Sequence, residues 1–221
     1  MNCQAIRVLP GQEAARLVSE LSLRTFADGK MTASGFAREV KHNLQLQREG
    51  SNAGQLDQIV VSAFERSPEF QAFAIPRRVM APIFSRYDPG MNYGSHVDNA
   101  FMAGGGVRSD LSVTLFLSPP DTYDGGDLVI EMALGEQQIK LDAGEAIVYP
   151  ASSVHHVAPV TRGVRFAAVT WVQSAIRDES VRTILHDLHR TMVHPDAARS
   201  QELSLLLSKS YHNLLRHAAD S

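Results

Sequence analysis

The sequence contains a single cysteine, Cys3, in 221 residues. A disulfide within the chain is impossible, and zinc sites built from several thiolates are excluded. Any metal must be held by imidazole and carboxylate groups. Long hydrophobic runs are also missing. Those present, such as residues 167–169 and 205–207, are far too short to span a bilayer. The N-terminal stretch MNCQAIRVLPGQEAARLV lacks a basic segment followed by an apolar one, so no signal peptide is expected. Neither sign of charge dominates. The formal net charge of -3 offers no strong field to nucleic acid or an anionic membrane. The expectations are no nucleic-acid partner, no membrane partner and a cytoplasmic location.

Hydrophobic residues make up 44% and charged residues 20%, as in an ordinary soluble globular protein large enough for its own core. Three zones follow one another. Residues 1–77 read as a mainly helical region packing on the core, with helical spacing over 11–26, 37–46 and 52–64. Residues 78–175 change character. Short runs at 79–87, 111–118, 127–132, 137–141, 145–149 and 164–172 are rich in β-branched and aromatic residues and separated by Gly, Pro and Asp. Such strands suggest a sandwich or barrel. Residues 176–221 return to helix, at 178–194 and 201–217, with Pro195 between the two. Leu203, Leu205, Leu206 and Leu207 are positioned either to form a homo-oligomer contact through the C-terminal helices or to pack onto the β core.

Nine histidines are present, and five of them fall in the C-terminal helices or their junction. His96 is different, because Asp98 lies two residues on. In an extended segment such residues share a face, so one imidazole and one carboxylate can converge. His-x-Asp alone is a weak signal that a plain loop also satisfies. A third candidate ligand follows the 145–149 run, where His155 and His156 are adjacent. Adjacent side chains of a strand face opposite ways, so one of the two can reach a metal. Two histidines and one carboxylate leave coordination positions open, which suits non-haem iron(II) that must bind oxygen and a cosubstrate. Arg165, ten residues past His155, can pair with a distal cosubstrate carboxylate through two parallel hydrogen bonds. The glycine-rich segment 102–109 reads as a loop near the site mouth, and Trp171 as a core residue.

The ordered set Tyr87, Gly90, Tyr93, His96-Val-Asp98, then Gly125-Gly126-Asp-Leu, then Gly144-Glu-Ala-Ile-Val-Tyr-Pro150, then His155, then Gly163-Val-Arg165 resembles the prolyl-4-hydroxylase-like 2-oxoglutarate dioxygenases. More closely, the chain resembles the bacterial PKHD-type hydroxylases. The likeness extends to Asp28-Gly-Lys-Met-Thr-Ala33, Val40-Lys-His-Asn-Leu-Gln45 and Tyr211-His-Asn-Leu-Leu-Arg216. The resemblance implies an α+β fold, with a double-stranded β-helix (jelly-roll) core and flanking N- and C-terminal helices. It implies Fe2+ held by His96, Asp98 and His155, with His156 a variable neighbour. It also implies 2-oxoglutarate held by Arg165 and Tyr87, dependence on L-ascorbate, and hydroxylation of a small-molecule or peptidyl substrate with release of succinate and CO2. The rival expectation is a non-enzymatic metal-binding jelly roll acting as an iron-linked accessory or sensor.

Overall fold

Alternation along one strand organises the molecule. In the computed structural model, which describes residues 3–33, 35–48 and 53–219, the Arg165–Ser174 strand runs through the middle of the larger sheet. Its even positions Phe166, Ala168 and Val172 enter an outer core with Phe84, Val113, Leu115 and Val148 from neighbouring strands. Helices Gly11–Ser22, Ala53–Arg66 and Pro68–Ala74 cover that face with Leu17, Leu21, Leu56, Val60, Phe64 and Phe70. Burying side chains of this size stabilises by about 1.5–3 kcal/mol each. Its odd positions, Arg165, Val169 and Trp171, point the other way, into the space between two sheets.

The larger sheet is antiparallel throughout. Its order is Gln4–Arg7, Glu145–Pro150, Leu111–Phe116, Arg165–Ser174, Ile83–Tyr87, Leu44–Leu46 and Phe26–Asp28, with Pro76–Val79 also pairing along Arg165–Ser174. The facing sheet runs Gly135–Ile139, Leu128–Met132, His155–Val157, Asn92–His96 and Lys41–His42. Tyr87, Phe116, Leu128, Ile130, Ile147 and Val157 fill the layer between them. Two facing antiparallel sheets with helices outside form the expected jelly roll.

Several elements differ from their expected form. Residues 37–46 hold a short helix, Gly35–Glu39, and then two strands rather than a helix. Lys41–His42 joins the smaller sheet and Leu44–Leu46 the larger, so this segment crosses from one sheet to the other. Pairing with two existing strand edges overrides its helical propensity. The helix expected over 11–26 stops at Ser22, and Phe26–Asp28 pairs with Leu44–Leu46. The 79–87 run is two strands, because Pro82 has no backbone donor to continue the ladder. The 102–109 segment is a small hairpin, Phe101–Met102 against Val107–Arg108, and Arg108 makes an ion pair of 2.7 Å with Asp110 just beyond it. The Gln201–Ala218 helix buries none of its side chains and packs on Glu179–Met192, away from the β core.

The Gly125-Gly126 pair has a steric cause. Gly125 has φ +69, and a Cβ there would collide with the Pro159 carbonyl oxygen. A Cβ on Gly126 would stand 3.0 Å from Arg165 Cδ and 3.2 Å from Tyr123 Cε2. These glycines let the chain close tightly over the arginine.

Candidate active site

His96 ends the Asn92–His96 strand and His155 begins the His155–Val157 strand, and the two stand opposite each other in register. Their ring centroids are 4.3 Å apart. Asp98 follows just past the first strand and closes a triangle. Its carboxylate lies 3.9 Å from His96 Nε2 and 3.8 Å from His155 Nε2. One ligand atom from each residue can be chosen so that all lie within 4.8 Å of one another.

The backs of the rings are fixed. His96 Nδ1 donates to the Gly94 carbonyl at 2.8 Å, and His155 Nδ1 donates to the Ser153 carbonyl at 3.0 Å. That tautomer leaves both Nε2 lone pairs aimed at the Asp98 side. Ser112 Oγ donates to Asp98 Oδ2 at 2.5 Å, so the carboxylate is oriented as well. Tyr93 stacks on His96 at 3.7 Å, and Tyr149 meets His155 edge-on at 5.1 Å. His156 lies opposite Val129 in the strand ladder and takes no part in the cluster.

Arg165 is the largest fully buried side chain among the described residues, yet its Nε and Nη2 have no hydrogen-bond partner. None of the described carboxylates pairs with it. Its guanidinium lies 5.1 Å from the Tyr87 ring and 5.2 Å from the Phe116 ring. The buried Tyr123 hydroxyl stands beside this guanidinium without a well-aligned hydrogen bond to it or to any other described group. A buried cation and a buried phenol with unused donors are costly unless an anion completes them. Tyr87, directly opposite Arg165 in the ladder, lines the cavity that also exposes His96, Asp98, His155 and Trp171. Arg165 itself sits behind Tyr87 rather than on the cavity surface. Burial pushes the Tyr87 phenol upward, so it stays protonated and can donate.

The family comparisons agree with this geometry. The 2OG-Fe(II) oxygenase superfamily model matches residues 82–173, which span the whole cluster. A PKHD-type hydroxylase from Methylobacterium nodulans is 43% identical over 96% of both chains, and one from Synechococcus elongatus is 47% identical over 95% of both. The chain belongs to the PKHD-type hydroxylases. A Pseudomonas putida prolyl-4-hydroxylase shares the fold at a TM-score of 0.54 and 20% identity, over 78% of this chain and 92% of its own. As a member of the 2OG-Fe(II) oxygenases, this PKHD-type hydroxylase is an Fe(II)- and 2-oxoglutarate-dependent enzyme.

Some cavity residues of this hydroxylase escaped the sequence reading. Lys41, Asn43 and Gln45 come from the segment expected to be helical, and all three line the cavity. The missed signal was period two: these polar residues alternate with His42, Leu44 and Leu46. Trp171, expected in the core, also lines the cavity, because its odd position on the Arg165–Ser174 strand points inward.

Acid should loosen the site before any chemistry is measured. The His96 imidazole is lowered from 6.5 to about 4, first by burial and then by repulsion from His155. Between those values the unfolded chain binds a proton that the folded chain does not, which favours unfolding. The stability His96 contributes is therefore fully present above pH 6.5 and lost as pH falls through about 4. The thermal midpoint of chelator-treated protein should drop across this window, more steeply than in His96→Gln. Parallel pH profiles for the two proteins would remove His96 as the cause.

Proposed function

We propose that His96, Asp98 and His155 hold the catalytic Fe2+, and that Arg165 and Tyr87 hold 2-oxoglutarate. The observation that carries this reading is the convergence of two backbone-locked Nε2 atoms and one oriented carboxylate, beside a buried arginine with unused donors. Two imidazoles and a carboxylate suit iron(II) and leave positions open for other ligands. Bound iron(II) supplies the redox chemistry that converts 2-oxoglutarate and oxygen to succinate and CO2 while hydroxylating the substrate.

The chain's own work is placement and exclusion. Gly94 and Ser153 carbonyls keep the imidazole tautomers, and Ser112 aims the Asp98 carboxylate. Arg165 takes the distal carboxylate of 2-oxoglutarate through paired, charge-assisted hydrogen bonds, and the Tyr87 hydroxyl donates beside it. The rings of Tyr87, Phe116 and Tyr149 keep water out of the layer between the sheets. None of these side chains is needed as a general acid or base.

Under the same reading, L-ascorbate keeps the iron reduced, and the substrate is a small molecule or a peptidyl residue. The enzyme works in the cytoplasm, free of nucleic acid and membrane. In support, no helix among the described residues is long and apolar enough to cross a membrane. The partly exposed Leu203, Leu205 and Leu206 on the last helix make a homo-oligomer contact. The test is a screen for substrate-stimulated succinate release by the iron-loaded protein, with a metabolite extract beside a peptide library. No iron-dependent succinate under any condition would overturn the reading.

A further inference from the structure

The segment that crosses between the two sheets carries a second set of unsatisfied polar groups. Lys41 is buried, and its ammonium donates to Thr32 Oγ1 at 3.2 Å and lies 4.9 Å from the Tyr93 ring. Among the described residues no carboxylate comes within ion-pair distance of it. Asn43, two residues on and facing the same cavity, is buried; its amide stands beside the Tyr87 hydroxyl, but neither its oxygen nor its nitrogen makes a well-aligned hydrogen bond. Gln45 completes the row, its Oε1 accepting from Thr32 Oγ1 at 2.5 Å. Gly29 lies against Asn43 so closely that a Cβ there would collide with the amide oxygen. Asp98 and Asp28 act on the Lys41 ammonium only from beyond ion-pair distance, and a buried ammonium or amide with so little direct pairing costs stability unless a ligand satisfies it.

We propose that this crossover is the substrate-recognition wall, and that it takes a substrate bearing a carboxylate, held by Lys41, next to an amide-type group, held by Asn43. The inference rests on the reading that Arg165 and the metal cluster engage the two carboxylates of 2-oxoglutarate. Lys41 lies on the other sheet from Arg165, opposite Tyr93, whose ring stacks on His96. A third anion, beside the metal cluster, is then the substrate's own. An amide group with one donor face and one acceptor face is the natural complement of a free asparagine side chain. Lys41 and Asn43 are specificity-determining residues here, and the chemistry stays with the cluster.

Trp171, the only tryptophan, lines the same cavity, so its fluorescence reports occupancy. Oxygen-free protein loaded with iron(II) and 2-oxoglutarate is titrated with N-acetylglycine, a carboxylate beside an amide, and with its neutral counterpart N-acetylglycinamide. Wild type should bind the acid at least about tenfold more tightly than the amide. Lys41→Met should erase that preference and move the 2-oxoglutarate midpoint far less. Asn43→Leu should weaken both probes alike. Methionine fills the lysine stem's volume, and removing an unpaired buried charge does not cost stability. Lys41→Gln repeats the test should the methionine variant fold poorly.

Equal binding of acid and amide by wild type, or no saturable response to either, overturns the proposal. So does a Lys41→Met effect that falls on the 2-oxoglutarate midpoint, which assigns the ammonium to the cosubstrate. Should wild type fail to respond to 2-oxoglutarate, the cosubstrate reading fails separately. The preference for acid over amide is then measured without cosubstrate, and its absence there sinks the proposal too.

Discussion

Asp98→Ala is expected to abolish iron(II) binding and, with it, iron-dependent succinate formation. Asp98 is the only carboxylate in the cluster, and the two imidazoles facing it are neutral donors. Without its charge nothing in the triangle offsets a divalent cation. Loss of a residue that merely orients a ligand already costs 10–100-fold in affinity or activity, so removing the ligand itself should cost at least about 100-fold. Asp98→Asn separates charge from shape, since it keeps an acceptor for Ser112 Oγ. It is expected to lose iron nearly as completely. His96→Ala should behave in the same way, because Gly94 has no other ring to hold toward the cluster. Equilibrium dialysis against iron(II), run beside succinate release and a thermal midpoint, gives the answer. Normal turnover with iron-loading intact in either alanine variant would refute the ligand assignment.

The second large effect concerns Arg165→Met, where affinity and stability should move in opposite directions. Charge-assisted hydrogen bonds contribute roughly 1.5–3 kcal/mol each, so losing a two-bond clamp should raise the 2-oxoglutarate midpoint by about 100-fold or more. Iron binding should be retained, because Arg165 touches none of the three cluster residues. Without cosubstrate the variant should be as stable as wild type or more so. A buried guanidinium with two unpartnered nitrogens is replaced by an apolar chain of similar length, lying between the rings of Tyr87 and Phe116. Isothermal titration with 2-oxoglutarate and a cosubstrate-free melting curve test both halves. A change confined to iron binding would show that the arginine's role is misassigned.

Much of this site is legible in the sequence. His96 and Asp98 are two apart at the end of a strand, and extended geometry puts them on one face, as found. Arg165 was legible by its chemistry instead, as a permanently charged carboxylate partner ten residues past His155 in the last strand. The resemblance to PKHD-type hydroxylases supplied the jelly roll, and it chose His155 over His156 where alternation alone left the pair open. The crossover was not legible as a strand. Its residues 41–46 carry polar side chains on the buried face, the reverse of the usual pattern, because that face lines the cavity rather than an apolar core. Trp171 misled for a related reason: size suggested the core, whereas its odd position on the strand put it in the cavity.

The Arg165–Ser174 strand serves two clients from one backbone. Its even residues hold the helices to the sheet, and odd residues face the space between the sheets, where Val169 and Trp171 line the cavity and Arg165 lies behind Tyr87. Inserting or deleting a single residue within it would swap the two sets, presenting Phe166 and Ala168 to the cavity and Arg165 to the helices. Folding and catalysis would then fail together rather than one at a time. Evolution can therefore retune this enzyme by exchanging side chains along the strand but not by altering its length. Changes of length have to be absorbed elsewhere, at places such as the fully exposed turn around Leu134.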